Sequence, residues 1–222
     1  MSDETIYAAY PVFRADPERL ASVDRTVVAK ETAVLLEDFG GRVETRGIYS
    51  TAGFTAHADL MFWWIARSAD DLQDIVTAFR HTQLGGALDH TESFLGLVRP
   101  AEFAPDHLPS FAAGKDPLKY LCVYPFVRTP DWYLLDPQER AKLLREHGEA
   151  ARNFSDVQAN TTMAFGLGDW EWILAFEAAS PDRIVELIRH LRATEARRYT
   201  KVEIPFVTGI RKSLEAVVAD LP

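Results

Sequence analysis

Apolar positions along this chain fall into a pattern that occurs twice. Leu60-Met61-Phe62-Trp63-Trp64-Ile65 is a strand-like aromatic run, and Trp170-Glu171-Trp172-Ile173-Leu174-Ala175-Phe176 is its counterpart. A helix-period segment follows each run. Ser68 introduces Leu72, Ile75, Val76 and Phe79; Ser180-Pro181 introduces Ile184, Leu187, Ile188 and Leu191, 112 residues later. Upstream, Tyr10-Pro11-Val12-Phe13-Arg14 returns 114 residues later as Tyr124-Pro125-Phe126-Val127-Arg128. Two matched segments, in the same order and at nearly the same offset, predict an internal duplication.

The second half reads strand, helix, strand, strand, helix, strand. The first strand covers Tyr120 to Phe126. A helix then starts at Asp136-Pro137, an N-cap aspartate followed by proline at the first helical position, and runs to about Asn153. Strands are expected near Val157–Phe165 and Trp170–Phe176 around the turn Gly166-Leu167-Gly168-Asp169, and a last strand near Val202–Thr208. This order is that of a ferredoxin-like unit. The expected class is therefore α+β, two tandem ferredoxin-like repeats at 1–111 and 112–222. Residues 100–117 form a long, proline-containing connector.

Composition narrows the partners. The 222 residues carry a formal net charge of −9, so no cationic surplus exists to neutralise nucleic-acid phosphates or an anionic membrane. No window approaches the roughly 18 uninterrupted apolar residues of a membrane span. The acidic start, Met1 to Thr5, has no apolar run behind it, so no signal peptide is expected. The single cysteine, Cys122, excludes intrachain disulfides and cysteine-rich metal sites. A cytoplasmic protein is the expectation.

Candidate chemistry concentrates between residues 107 and 198. No H-x-x-x-H pair, phosphate-binding glycine loop or nucleophile elbow occurs. Leu143, Leu144, His147, Ala151 and Phe154 share one helical face, which places an imidazole on the buried stripe. It reads either as a core histidine or as an axial donor to iron; Gly148 beside it leaves room for a flat ring. Tyr124 reads as a core tyrosine or a redox-active phenol. Arg128, four residues on, reads as a solvated strand end or a bidentate clamp for a carboxylate. Trp132 reads first as packing, and Arg197-Arg198 as a solvated face or a second anion site. His107, in Pro105-Asp106-His107-Leu108-Pro109, reads as a surface loop histidine or a general base near neutrality.

Taken in order, Lys119-Tyr120-Leu121-Cys122-Val123-Tyr124-Pro125, Asp131-Trp132-Tyr133, Glu139-Arg140, Arg145-Glu146-His147-Gly148, Asp169-Trp170-Glu171-Trp172 and Pro205-Phe206-Val207-Thr208-Gly209 resemble the coproheme decarboxylases of the chlorite dismutase superfamily, actinobacterial type. The resemblance covers essentially the whole chain. It implies a dimeric α+β barrel of the two repeats, with the haem site in the C-terminal one. It further implies His147 as the iron ligand, Tyr124 as the radical tyrosine and His107 as the distal base. Arg128 lies where the family places a cation near a propionate, Trp132 matches a tryptophan near the pocket, and Arg197 is a second candidate for positioning the porphyrin. Glu195 is a candidate to orient His147. The implied substrate and redox cofactor is Fe-coproporphyrin III (coproheme), the oxidant hydrogen peroxide, and the product haem b, formed by decarboxylating propionates 2 and 4. A homopentamer is implied, with coproporphyrin ferrochelatase as a possible partner. Chlorite dismutases carry a distal arginine where this chain has Ala159, which argues against chlorite chemistry. Peroxidase activity, a haem-trafficking protein and a cofactor-free ferredoxin-like module are the remaining alternatives.

Overall fold

The structure, a computed structural model, describes residues 5–100, 102 and 108–222, so His107 lies outside the described residues. Two compact units form: the chain up to Leu97 together with Val207–Pro222, and Val98–Phe206. In chain order the first unit contributes β1 (Tyr7–Ala15), α1 (Pro17–Leu20), α2 (Arg25–Phe39), β2 (Val43–Ser50), β3 (Leu60–Ala66), α3 (Ala69–His81), α4 (Gln83–Gly86) and β4 (Leu88–Leu97). The second contributes β5 (Tyr120–Arg128), α5 (Pro130–Leu134), α6 (Pro137–Ala151), β6 (Gln158–Met163), β7 (Trp172–Ala178), α7 (Pro181–Leu191) and β8 (Thr200–Val202). The chain then returns to the first unit as β9 (Val207–Arg211) and α8 (Leu214–Asp220).

In the first unit β1 lies antiparallel between β3 and β4, β2 pairs with β3, and β9 runs along β2. The order β4-β1-β3-β2 is the ferredoxin-like order the sequence predicts. In β3, Phe62 and Trp64 stack with centroids 4.6 Å apart on the same side as Phe13 and Phe79. Met61 and Trp63 alternate onto the other side, and all of these side chains are fully buried. Burial of both faces explains why the run is unbroken rather than alternating.

The second unit has the strand order β6-β7-β5-β8. β7 runs antiparallel to β5 with Tyr124 opposite Leu174, and β6 to β7 with Ala159 opposite Phe176. Helix α6 begins where the sequence places it: Asp136 Oδ1 accepts a hydrogen bond from the Gln138 N–H at 2.8 Å, and Pro137 opens the helix. It ends at Ala151 and tightens into a 3-10 turn, Arg152–Phe154. Ser180 holds the N-cap of α7, but its hydroxyl turns to the Asp182 carboxylate instead of a backbone N–H.

The expected last strand, Val202–Thr208, is broken. β8 pairs with the end of β5, Val127 opposite Val202 and Arg128 opposite Thr200, whereas β9 pairs with β2. Glu203–Phe206 between them is irregular and contains Pro205, which has no N–H to give a ladder. No helix among the described residues is long and apolar enough to cross a membrane.

Candidate active site

Strand alternation sends Cys122 and Tyr124 to the side of β5 covered by α7, where they pack with Phe176, Ala178, Ile184 and Leu187. Tyr124 is 4% exposed. Its ring stacks on Phe206, centroids 4.3 Å apart and planes at 28°, and lies 6.1 Å from Phe176. Burial pushes the phenol far above its ordinary pKa, so it stays protonated across the working range. Glu203, Arg192 and Arg197 are near enough to act on it electrostatically.

His147 sits half-buried on α6, where the sequence puts it. Leu143 and Leu144 of its stripe join the small core around Trp132 and Ala196, and Ala151 with Phe154 joins the core around Tyr124. Its Nδ1 is 3.4 Å from the hydroxyl of Thr194. That hydroxyl donates its only hydrogen to the Leu191 carbonyl at 2.8 Å. With its hydrogen on the Leu191 carbonyl the Thr194 oxygen accepts, an arrangement that favours the proton on Nδ1 and leaves the Nε2 lone pair for a ligand bond. Glu195, the sequence candidate for this role, instead forms an exposed ion pair with Arg198. The loop delivers the residue before it, since the 3-10 turn Glu195–Tyr199 carries the glutamate outward.

Arg128 turns inward rather than ending the strand in solvent. Its guanidinium lies 4.1 Å over the Trp132 ring and 4.7 Å over Phe126, and Nη1 donates to the Ala196 carbonyl at 2.8 Å. Its backbone N–H donates to the Glu171 carboxylate at 2.7 Å, which also accepts from the Tyr133 hydroxyl at 2.6 Å. Burial brings the Arg128 pKa down to about 10, so it stays cationic near neutrality. Trp132, 4% exposed, is the platform for this cation and packs 5.6 Å from Tyr199. Arg197 lies elsewhere, on the rim of a cavity of about 300 Å³ lined with Arg192, Thr200, Lys201, Glu203 and Phe206, and is ion-paired to Glu203.

Burial, with the Arg128 charge adding to it, holds His147 down to about pKa 4. The sign follows by linkage. Unfolded chain takes up a proton near pH 6.5 that the folded chain refuses until about pH 4. The stability is present above the unfolded value and lost as pH falls through this window, by at most about 3 kcal/mol. Urea unfolding of the metal-free protein at pH 7 and pH 4.5 is expected to show this loss, and His147→Gln to reduce it.

A neutral imidazole whose Nδ1 faces the Thr194 hydroxyl, together with the Arg128 and Arg197 guanidinium groups, suits an iron tetrapyrrole with carboxylate arms.

Residues 25–212 match the family profile described as chlorite dismutase. The chain belongs to the chlorite dismutase family. A coproheme decarboxylase from Mycolicibacterium smegmatis is 50% identical over 220 residues, 97% of this chain and 94% of that one. A protein of the same name from Oceanobacillus iheyensis is 30% identical over 197 residues, 80% of this chain and 76% of that one. Among solved structures, a chlorite dismutase from Candidatus Nitrospira defluvii superposes with a TM-score of 0.88 at 24% identity, covering 98% and 95% of the two chains. Its imidazole complex gives 0.87 at 24%, covering 96% and 94%. The fold of this family is the α+β arrangement of paired ferredoxin-like repeats expected from the duplication.

Proposed function

We propose that this chain is a coproheme decarboxylase, which converts Fe-coproporphyrin III to haem b in two peroxide-dependent steps. The observation that carries this reading is the 50% identity, across nearly the full length, to a protein of that name. The site supports it residue by residue: a neutral imidazole free at Nε2, a buried phenol, and arginines suited to carboxylates. In each step a propionate, one hydrogen peroxide and one proton become a vinyl group, carbon dioxide and two waters.

When bound, the iron would supply peroxide activation and the oxidising equivalents. His147 would hold it through Nε2, and Thr194 keeps the other ring nitrogen protonated. Tyr124, neutral at working pH, must release its proton together with an electron when oxidised. Its oxygen then takes a hydrogen atom from the propionate β-carbon, which restores the phenol. Arg128, held on Trp132, would position a propionate without being able to swing away. His107 is proposed as the base that takes a peroxide proton. Further along the connector, Ser110 donates its N–H to the Ala159 carbonyl at 3.1 Å and Phe111 donates to Asn160 Oδ1 at 2.9 Å, which ties Ser110 and Phe111 to β6.

The same reading carries the two repeats as units of duplication at 1–111 and 112–222, and a cytoplasmic homopentamer served by coproporphyrin ferrochelatase. The test is coproheme-loaded protein titrated with peroxide and followed by mass spectrometry. Two successive losses of carbon dioxide are expected; no loss overturns the reading. The family name raises chlorite chemistry, but Ala159 offers no cation to steer an oxyanion, so no oxygen release from chlorite is expected.

A further inference from the structure

We propose that Glu203 is a resident carboxylate that occupies the Arg192–Arg197 pair and must be displaced by a carboxylate arm of the incoming porphyrin. One oxygen of Glu203, Oε2, takes both guanidinium groups: Arg192 at 3.2 Å, and Arg197 in closer contact. The glutamate side chain is the most covered of the three, 14% exposed against 47% and 39%. All three line the 300 Å³ cavity together with Lys201 and Phe206. The cavity therefore holds three cationic side chains against one carboxylate.

Position ties this cavity to the chemistry. Phe206, in its wall, stacks directly on Tyr124, and the Arg192 guanidinium lies 6.0 Å above the same Phe206 ring. Glu203 belongs to the irregular Glu203–Phe206 segment between β8 and β9, so moving its side chain breaks no sheet hydrogen bond of a ladder. A porphyrin carboxylate offers the arginines the same geometry that Glu203 does. The exchange lowers affinity for a carboxylate-bearing ligand, because the arginines are not vacant in the free protein, and gives them a partner again when the ligand leaves.

This inference rests on the proposed substrate, and the experiment separates the two. Binding of metal-free coproporphyrin III, which cannot turn over, is measured by fluorescence for the native chain, Glu203→Gln and Arg192→Gln/Glu203→Gln. Glu203→Gln is expected to bind about tenfold more tightly, with the gain shrinking as salt rises and disappearing in the double variant. Unchanged or weaker binding by folded Glu203→Gln overturns the proposal and leaves Glu203 as a brace for the arginines. If Glu203→Gln does not fold, Glu203→Asp withdraws the charge by one methylene and carries the same expectation. Failure of the native chain to bind coproporphyrin III at all overturns the substrate reading as well.

Discussion

Tyr124→Phe is expected to bind coproheme with nearly native affinity and to release no carbon dioxide from it. The ring is what the fold uses: it stacks on Phe206, leans towards Phe176 and fills the layer between β5 and α7. Phenylalanine keeps all of these contacts, so the change in stability should stay within about 1 kcal/mol. On the proposed reading, the hydroxyl is what the chemistry uses. A phenol can lose a proton and an electron and later recover a hydrogen atom; a phenyl ring can do neither. Because burial keeps the phenol protonated, no other ionisation of Tyr124 is available to explain a loss of turnover. The measurement is carbon dioxide release and product mass during a peroxide titration, alongside a coproheme binding curve. Turnover at the native rate would remove Tyr124 from the reaction. Lost binding would make it a packing residue and move the radical site elsewhere.

Much of this layout was legible because it depends on local rules. Asp136-Pro137 starts a helix wherever a chain needs one, and the unbroken run at Leu60–Ile65 requires burial on both faces. Its place on a strand gave Tyr124 a core reading, and 3.6-residue spacing put His147 on the inner stripe. The parts that were not legible depend on residues distant in sequence. Arg128 looks like a strand-end cation until Trp132 and the Ala196 carbonyl receive it, the latter 68 residues away. The partner of His147 is 47 residues downstream, and the adjacent Glu195 was the more conventional choice for an orienting carboxylate. Glu203 and Arg192 carried no motif at all. A charged stretch near a strand looks solvated, and only the irregular segment before Pro205 brings Glu203 to two guanidinium groups. The break in the last strand had one local signal, Pro205, whose missing N–H should have shortened the predicted ladder.

His147→Ala is expected to abolish decarboxylation while leaving metal-free coproporphyrin III binding within a few-fold of native. The two readouts separate because different residues serve them. Arg128, Arg192 and Arg197 are untouched by the substitution, and Thr194 keeps its hydrogen bond to the Leu191 carbonyl, so the turn behind the histidine holds its shape. What disappears is the neutral imidazole nitrogen proposed to hold the iron. Losing an outer partner of a metal ligand typically costs about 10–100-fold, and losing the ligand itself should cost more. The Soret band of the ferric coproheme complex is expected to change, and millimolar imidazole to restore part of it, because the truncated side chain vacates the volume of an imidazole ring. A Soret band identical to the native one, unaffected by imidazole, would place the iron ligand on another residue. Restored ligation without restored turnover would instead show that imidazole held at one angle by Thr194, and not imidazole alone, is required for the reaction.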